Sequence, residues 1–343
     1  MVVPGDLKNG VLNIRSFIRS QAESLRLAGW EVVFGLVDDR TSIRGILRNV
    51  RRLKKEIAQA KPLLVHAQYG SVTLAVASMI KGQLPLVASF GGDDLLGTPG
   101  AGLYWHVRGK LARIVGLWVS RWAASIIVKS HNLLQALPAK MKSKAVVLPN
   151  GVDTSRFAPM ARDLCRAALG WKTQSKVVLF HVSLNEDQHR KNPELARVAI
   201  QVLSRSVSDV SLIMISDSTQ EQVRLMLNAA DCLLVTSLHE GSPNIVKEAM
   251  ACNLPIVSVP CGDVAVRLKG VCPGSIRSYD PCALAQGMQE VLAVDCRSNG
   301  RDQLIEQGLT ANKVAERLIQ IYLSATKKQH FRRPANQHKV CVE

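Results

Sequence analysis

The sequence predicts an α/β protein with two parallel, doubly wound sheets. Short apolar runs alternate with helix-like segments along both halves of the chain, which is the pattern of parallel strands joined by crossover helices. A length of 343 residues is enough for two domains with separate cores. Because 47% of the residues are hydrophobic but only 4% are aromatic, the sheets are expected to be built on Val, Leu, Ile and Ala.

The first half is predicted to open with a very short strand at residues 1–4 and a turn at Asn9 and Gly10. An amphipathic helix is expected over residues 14–28 and a basic helix over residues 44–60. Further strands are expected over residues 31–37, 63–66, 86–90, 125–128 and 146–148.

The second half repeats the alternation and ends in a helix expected over residues 312–322. Its strands are expected over residues 177–181, 211–215, 232–237 and 256–259. From residue 327 onward the chain is polar, basic and interrupted by proline, which predicts a disordered tail.

Composition excludes several classes of protein. No apolar run reaches the roughly 18 residues of a membrane span, and the N-terminus lacks the pattern of a signal peptide. The eight cysteines have neither C-x-x-C nor zinc spacing, so they are expected to be reduced thiols of a cytoplasmic protein. The absence of G-x-G-x-x-G and of a P-loop motif argues against a nicotinamide dehydrogenase and a P-loop NTPase.

The net charge of +17 is unevenly distributed. Residues 1–155 carry +12, residues 156–326 carry +1 and residues 327–343 carry +4. Charge concentrated in one half indicates an anionic partner for that half. Nucleic acid, a phospholipid surface and an acidic glycan all fit the sign.

Two glutamates surround a turn in the segment Glu240-Gly-Ser-Pro-Asn-Ile-Val-Lys-Glu248. The preceding apolar run predicts a buried strand, Ser242 is a good N-cap and Pro243 suits the first helical position. The helix is expected to stop at Asn253 in a left-handed conformation. A strand, a glycine turn and a helix start together predict a site for an anion.

Within this turn, Gly241 allows close approach of the backbone to a sugar or phosphate. The N–H groups of Asn244 and Ile245 lie at the helix start, where they are free to bind a phosphate. Glu248 is placed about two turns along the helix, where its carboxylate can accept hydrogen bonds from two hydroxyls of a ribose or sugar.

This segment resembles the signature of the retaining GT-B glycosyltransferases of family 4, the glycogen-synthase-like group. Segments 64–70, 90–97, 148–157 and 228–237 are also similar to motifs of that family, and the resemblance covers roughly residues 5 to 325. It implies two Rossmann-like domains with parallel sheets facing a cleft. The implied divisions are an acceptor-binding domain (1–155), a nucleotide-sugar-binding domain (156–311), a helix crossing back to the first domain (312–326) and the basic tail (327–343).

The resemblance also implies roles for charged residues. Glu240 would contact the transferred sugar and Glu248 the ribose. Lys191 matches the family's phosphate-gripping lysine by its spacing to the following helix, and Arg190 is the nearest candidate for the arginine. By the residues alone, Arg190 and Lys191 would more often be a solvated helix start. Family members generally work without a metal, so neither a metal nor a cofactor is expected.

The first domain departs from the family pattern in places. Many relatives have a histidine where this chain has Gly91, while the nearby acid is kept as Asp94. Asp94 is a candidate for contacting the acceptor hydroxyl as a base, although capping of the following helix explains it equally well. Gly10 is a weaker candidate for a turn that approaches the diphosphate, because Asn9 replaces a second glycine.

The segment 105–122 is predicted to be a helix with an apolar stripe flanked by basic residues. The stripe consists of Val107, Leu111, Ile114, Trp118 and Trp122, and the basic residues are Arg108, Lys110, Arg113 and Arg121. Trp and Arg beside an apolar face are typical of a helix in a membrane interface. The alternative is that the stripe packs against the protein's own sheet.

These observations predict a glycosyltransferase that moves a sugar with retention from a UDP- or GDP-sugar to a lipid-linked or polysaccharide acceptor of a cell envelope. The protein is expected in the cytoplasm, with a peripheral position on the inner face of the membrane. One alternative is a catalytically inactive GT-B paralogue that acts as a scaffold, which Gly91 keeps open. A nucleic-acid-binding protein is disfavoured, because the chain has no recognised motif of that class and carries paired glutamates.

Overall fold

The computed structural model describes residues 1–8, 10–97, 103–182, 188–216 and 218–330. The strands are β1 (Val2–Pro4), β2 (Asp6–Lys8), β3 (Val11–Asn13), β4 (Gly35–Val37), β5 (Val65–Gln68), β6 (Leu86–Phe90), β7 (Ser125–Val128), β8 (Ala145–Val147), β9 (Lys176–His181), β10 (Val210–Ile215), β11 (Cys232–Val235), β12 (Ile256–Ser258) and β13 (Gly274–Ile276). They form a six-stranded sheet, a five-stranded sheet and a small hairpin.

Helices follow most of these strands. They are α1 (Ser16–Leu27), α2 (Ile43–Ala60), α3 (Val72–Ile80), α4 (Asp93–Leu96), α5 (Leu103–Ser120), α6 (His131–Gln135), α7 (Ala139–Lys142), α8 (Arg162–Leu169), α9 (Gln188–Lys191), α10 (Pro193–Leu203), α11 (Gln220–Ala229), α12 (Asn244–Ala251), α13 (Val264–Arg267), α14 (Pro281–Val294), α15 (Gly300–Glu306) and α16 (Ala311–His330).

The first sheet has the order β4-β1-β5-β6-β7-β8, and its paired strands are parallel. Strands β5, β6 and β7 are buried along their whole length, as expected when helices cover both faces of a parallel sheet. The strand predicted over residues 31–37 is shorter than expected. It pairs with β1 over three residues only, so regular strand structure is confined to Gly35–Val37.

The second sheet has the order β10-β9-β11-β12-β13 and is likewise parallel. The predicted fold of two parallel α/β sheets is confirmed. Strand β13 was not anticipated, because its three residues carry no apolar run. Asn253 ends α12 at φ 56°, the left-handed stop expected from the sequence.

Helix α16 returns to the first sheet. Its residues Leu318 and Tyr322 are buried in a cluster with Val87 and Ile127, and the Tyr322 hydroxyl lies 2.6 Å from His66 Nδ1. The helix continues to His330, so the prediction that the tail begins at residue 327 is wrong. Residues 331–343 of the predicted tail lie outside the described residues.

Helix α5 turns its predicted apolar stripe outward. Leu111, Ile114, Trp118 and Trp122 are 58%, 62%, 54% and 50% exposed. The buried side of the helix is formed by Gly116, Val119 and Ser120 instead. The alternative in which the stripe packs against the sheet is therefore wrong for these four residues. The side chains of residues 105–108, which the sequence placed in the same helix, lie outside the described residues.

Candidate active site

Glu240 forms two ion pairs at the carboxyl ends of the strands of the second sheet. Its Oε2 lies 2.7 Å from Arg190 Nη1, and its Oε1 lies 2.7 Å from Lys191 Nζ. All three side chains are largely buried, between 9% and 12% exposed. The three residues that the resemblance assigned to sugar and phosphate thus meet in one cluster, and Arg190 and Lys191 are not a solvated helix start.

Two neighbouring loops hold this cluster together. The Thr236 hydroxyl, just after β11, lies 2.8 Å from the carbonyl of Lys191 and 2.9 Å from that of Asn192. The Leu238 N–H donates to the carbonyl of Arg190 at 2.9 Å. Hydrogen bonds to the backbone carbonyls of residues 190–192 therefore join the loop after β9 to the loop after β11, since β9 and β11 are adjacent in the sheet.

The ion pairs control the charge of Glu240. Burial alone would raise the pKa of its carboxyl, but Lys191 and Arg190 outweigh burial and bring the pKa to about 2. Glu240 is consequently ionised throughout the physiological range. One negative charge between two positive charges leaves the cluster of Glu240, Arg190 and Lys191 with a net charge of +1.

Helix α12 begins one residue later than the cap position predicted for Ser242. Pro243 is the N-cap and makes no capping hydrogen bond with its side chain. Ser242 Oγ instead accepts a hydrogen bond from Lys247 Nζ at 3.1 Å. The prediction that Ser242 caps the helix is wrong, because the lysine one turn later takes its oxygen. Asn244 and Ile245 still occupy the first turn, where N–H groups have no intrahelical partner.

Glu248 differs sharply from Glu240. It is half-buried on α12, and no hydrogen bond or ion pair joins its carboxylate to another described residue. Burial raises its pKa to about 7, and the nearby Lys247 offsets this only in part. An unpaired carboxylate beside a helix start is suited to accept hydrogen bonds from the hydroxyls of a ligand.

Asp94, on the first-domain side of the cleft, binds backbone groups. Its Oδ2 accepts from the Gly70 N–H at 2.7 Å, and its Oδ1 accepts from the N–H groups of Gly91 and Gly92 at 2.9 Å each. These bonds tie the loop after β5 to the loop after β6. Such contacts are those of a carboxylate that holds loops in place. The contact of Asp94 with an acceptor hydroxyl stays a prediction.

The two sides of the cleft touch at glycines. A Cβ on Gly241 would lie 2.7 Å from the carbonyl oxygen of Gly91 and 3.0 Å from Leu133 Cδ1. Asn132 Nδ2 donates to the carbonyl of Glu240 at 3.0 Å, and Asp93 Oδ1 lies 3.7 Å from Arg190 Nε. The domains are therefore closed on one another at the base of the candidate site.

Sequence reasoning missed Tyr69, which lies beside Gly91. A Cβ on Gly91 would be 3.2 Å from Tyr69 Cε1, so the ring occupies the space next to the position where many relatives have a histidine. Tyr69 has φ 76°, a conformation that a bulky residue adopts only when its surroundings impose it. The Phe90 ring packs directly on the adjacent Gly70. No local sequence signal indicates such a conformation.

Lys129, another residue that was missed, follows β7 at the same edge of the first sheet. Its Nζ is buried and has no hydrogen-bond partner among the described residues. Burial and the positive charge of Lys247, opposed in part by Asp94, together lower its pKa to about 7. Lys247 itself donates to the carbonyl of Asn150 at 3.0 Å.

Other predicted features lie apart from this cluster. Gly10 is at the exposed turn of the β2–β3 hairpin, with open space where a Cβ would point, and its approach to a diphosphate stays a prediction.

Among the described residues, no three His, Cys, Asp or Glu side chains are grouped to hold a metal ion. In the same residues, no helix is both long and apolar enough to cross a bilayer. A cavity of about 420 Å³ lies away from the cleft, among residues that include Trp30, Leu63 and Tyr322.

Two family models match the chain and together cover all strands of both sheets except β1. The model described as Glycosyltransferase Family 4 matches residues 17–156, and the model described as Glycosyl transferases group 1 matches residues 175–294. The chain belongs to the GT-B glycosyltransferases of family 4.

Solved structures share the fold of this glycosyltransferase. Sucrose-phosphate synthase from Thermosynechococcus elongatus aligns with a TM-score of 0.74 and 19% identity, covering 91% of this chain and 93% of that one. HepE from Anabaena, in complex with UDP, aligns with a TM-score of 0.69 and 15% identity, covering 94% and 98%.

The curated relatives align with this chain over a smaller share of their length. The putative teichuronic acid biosynthesis glycosyltransferase TuaC of Bacillus subtilis (strain 168) is 23% identical over 60% of this chain and 54% of its own length. The D-inositol 3-phosphate glycosyltransferase of Mycolicibacterium gilvum is 26% identical over 45% of this chain and 40% of its own length. The chain thus spans about half the length, or less, of the curated relatives it matches.

Proposed function

We propose that this glycosyltransferase moves a sugar from a UDP- or GDP-sugar to a hydroxyl acceptor, with retention of configuration at the anomeric carbon. The observation that carries the proposal is the buried cluster of Glu240, Arg190 and Lys191 beside the start of α12. The unpaired carboxylate of Glu248 lies about one turn along the same helix. Complexes of HepE with UDP and with UDP-glucose favour a uridine donor among nucleotide sugars.

The residues divide the work of binding the donor. The N–H groups of Asn244 and Ile245 bind the diphosphate at the helix start. Arg190 and Lys191 neutralise the charge that develops on the leaving nucleoside diphosphate, in a site from which water is largely excluded. Glu248 accepts hydrogen bonds from the ribose hydroxyls, and Glu240 contacts the transferred sugar.

Retention requires the acceptor to attack from the face on which the nucleoside diphosphate departs. Cations held on that face stabilise the leaving group while leaving room for the acceptor on the first-domain side. Gly241 and the loop of Gly91 and Asp94 shape that side. Because two side chains already supply positive charge, the reaction is proposed to proceed without a divalent metal.

The acceptor is proposed to be a lipid-linked or growing polysaccharide of a cell envelope. The name of TuaC, a teichuronic acid biosynthesis protein, favours this class. The D-inositol 3-phosphate glycosyltransferases point to a small anionic acceptor instead. Either acceptor agrees in sign with the +12 of residues 1–155.

A screen of nucleotide sugars tests the donor. UDP-, GDP- and ADP-sugars are compared for their effect on the unfolding temperature, because a bound ligand stabilises by mass action. The ligand that stabilises most is then incubated with acceptors, and release of nucleoside diphosphate is measured with a chelator and with magnesium. Proton NMR of the first product reports the anomeric configuration. Binding without turnover would favour the inactive paralogue, and turnover that requires magnesium would refute metal independence.

The outward stripe of α5 supports a peripheral position on an anionic membrane. Trp118 and Trp122 stack edge to face at 4.5 Å, with the Arg121 guanidinium 5.4 Å from the Trp118 ring. Exposed tryptophans beside basic side chains suit the interface between lipid headgroups and acyl chains. We expect the protein to be on the cytoplasmic face, where nucleotide sugars are available.

Vesicle flotation tests this position. Wild type should float with vesicles of phosphatidylglycerol, and floating should weaken with salt, since exposed charges are screened beyond about 8–10 Å at physiological ionic strength. A triple neutralisation of Lys110, Arg113 and Arg121 should abolish it. A matched triple neutralisation on the exposed face of α2, at Arg51, Lys54 and Lys55, should weaken it less. If both triple variants behave alike, α5 is not the contact.

A further inference from the structure

The carboxylate of Glu240 is itself an anion in the place where a diphosphate is needed. Each of its two oxygens lies 2.7 Å from one of the two cations, Arg190 and Lys191, that the proposed function assigns to the leaving group. Among the described residues, Glu240 is the acidic residue that pairs with Lys191. A diphosphate gripped by these cations would meet this carboxylate at close range, and two anions would compete for the same donors.

Burial makes this competition strong. The three side chains are about one-tenth exposed, so water contributes little to the solvation of any charge left without a partner. A buried charge that loses its partner is costly. When a diphosphate takes the cations, Glu240 therefore needs new hydrogen-bond donors, or the exchange is unfavourable.

The loop allows the side chain to move without the backbone. The carbonyl of Glu240 accepts a hydrogen bond from Asn132 across the cleft, which fixes the main chain. Gly262 supports the loop from the other side, since a Cβ there would lie 2.7 Å from the carbonyl oxygen of Gly241. Rotation of the Glu240 side chain is thus the simplest route by which its carboxylate can change partners.

We propose that Glu240 is a built-in competitor of the nucleoside diphosphate, displaced from Arg190 and Lys191 only when the sugar of the donor offers hydroxyl groups to its carboxylate. This inference rests on the proposed function and extends it to product release. A nucleotide sugar brings both a diphosphate for the cations and hydroxyls for Glu240. After transfer the sugar leaves with the acceptor, Glu240 returns to the cations, and the nucleoside diphosphate is expelled.

Calorimetry of UDP and UDP-glucose with Glu240→Gln tests the inference, with GDP and its sugar in their place if the screen selects guanosine. Glutamine keeps the shape but removes the competing charge. UDP should bind the variant at least about tenfold more tightly, which corresponds to about 1.4 kcal/mol. UDP-glucose should bind wild type more tightly than UDP does, and this preference should disappear in the variant.

Glu290→Gln is the matched control, because Glu290 also pairs with an arginine, Arg277, but its side chain on α14 is 50% exposed. It changes the net charge equally and should leave the affinity for UDP unchanged. If UDP binds Glu240→Gln no more tightly than wild type, or more weakly, the inference is overturned and Glu240 merely orients the cations. If neither UDP nor GDP binds any of these proteins, the proposed function itself fails.

A second variant guards against misfolding of Glu240→Gln, which leaves two cations without a charged partner. Glu240→Asp keeps the charge but shortens its reach, so the affinity for UDP should rise by less than in the glutamine variant. Inorganic pyrophosphate should raise the unfolding temperature of both variants more than that of wild type. Equal stabilisation of all three proteins by pyrophosphate would contradict the competition.

Discussion

The two walls of the cleft hold their acidic residues in different ways. On the second-domain wall, Glu240 is bound by two cationic side chains. On the first-domain wall, Asp94 is bound by three backbone N–H groups and, among the described residues, forms no ion pair within 4 Å. Side chains can exchange one partner for another, whereas backbone groups in a tight loop cannot.

The two walls therefore differ in what they can change: the first is held in one shape, and the second carries charged side chains. The first-domain wall holds Tyr69 in a strained conformation beside a loop of glycines. The second-domain wall presents charges that a ligand can redistribute. Substitutions on the first wall should therefore act mainly on folding stability, and those on the second mainly on ligand affinity.

We expect the largest effect, a loss of folding stability, from substitution of Asp94. Asp94→Asn replaces one carboxylate oxygen by an amide group, which faces a backbone N–H and leaves it unsatisfied. An unsatisfied buried donor costs roughly 1–3 kcal/mol, and repulsion between two donors adds to this. Urea unfolding should show the loss, with transfer activity reduced in parallel.

Asp93→Asn provides the comparison for that experiment. Asp93 is the neighbouring residue, half-exposed, with ion-pair distances of 3.6–3.7 Å to His239 and Arg190. Pairs that are this long and open to solvent on one side contribute at most about 1 kcal/mol, so this variant should unfold at nearly the urea concentration of wild type. Equal losses in the two variants would mean that the loop does not depend on the bonds of Asp94.

An intermediate effect is expected at Glu248, on ligand affinity. Glu248→Ala should leave the fold intact and weaken nucleotide-sugar binding by roughly 1.5–3 kcal/mol, the contribution of a hydrogen bond to a charged group. Calorimetry checks this directly. Unchanged donor affinity in a folded variant would remove Glu248 from the ribose site.

Stability and ligand affinity should depend on pH through Glu248 but not through Glu240. Burial raises the pKa of Glu248 to about 7 from an ordinary 4.5, so the folded protein holds its proton more tightly than the unfolded chain does. Its contribution to stability is present below pH 4.5 and is lost as pH rises through about 7. Ligand affinity should move the other way, rising through that range as the carboxylate forms. Glu248→Gln should flatten both profiles, while Glu240, with a pKa of about 2, should add no slope there.

We expect the smallest effect, on transfer activity, from substitution of Gly91. An added Cβ would lie 3.2 Å from Tyr69 Cε1, a tight contact that a small shift of the ring relieves, so Gly91→Ala should retain transfer activity within about threefold of wild type. Gly241→Ala is the contrast, because its Cβ would press on the backbone carbonyl of Gly91 at 2.7 Å and force the walls apart. A severe loss in Gly91→Ala would show that the space beside Tyr69 is needed by a ligand.

Much of the fold could be predicted because most strands are continuous apolar runs. Residues 86–90 and 125–128 became strands with the predicted bounds, since burial on both faces leaves an unbroken apolar signal. Strand β13 and the shortened β4 could not be predicted, because their extent depends on the length of the neighbouring strand. The exposed side of α5 was also undetermined, because an apolar stripe has the same period whether it faces a core or solvent.

The sequence by itself determined the family, the two-sheet fold and the residues that form the candidate donor site, because a strand, a turn and a helix start are specified by local spacing. Only the tertiary structure decided which charges are paired. Glu240 and Glu248 are chemically identical and share one motif, yet one is bound by two cations and the other is unpaired. That outcome depends on Arg190 and Lys191, fifty residues away in the chain but adjacent in the sheet, because the strands that carry the two loops are hydrogen-bonded neighbours.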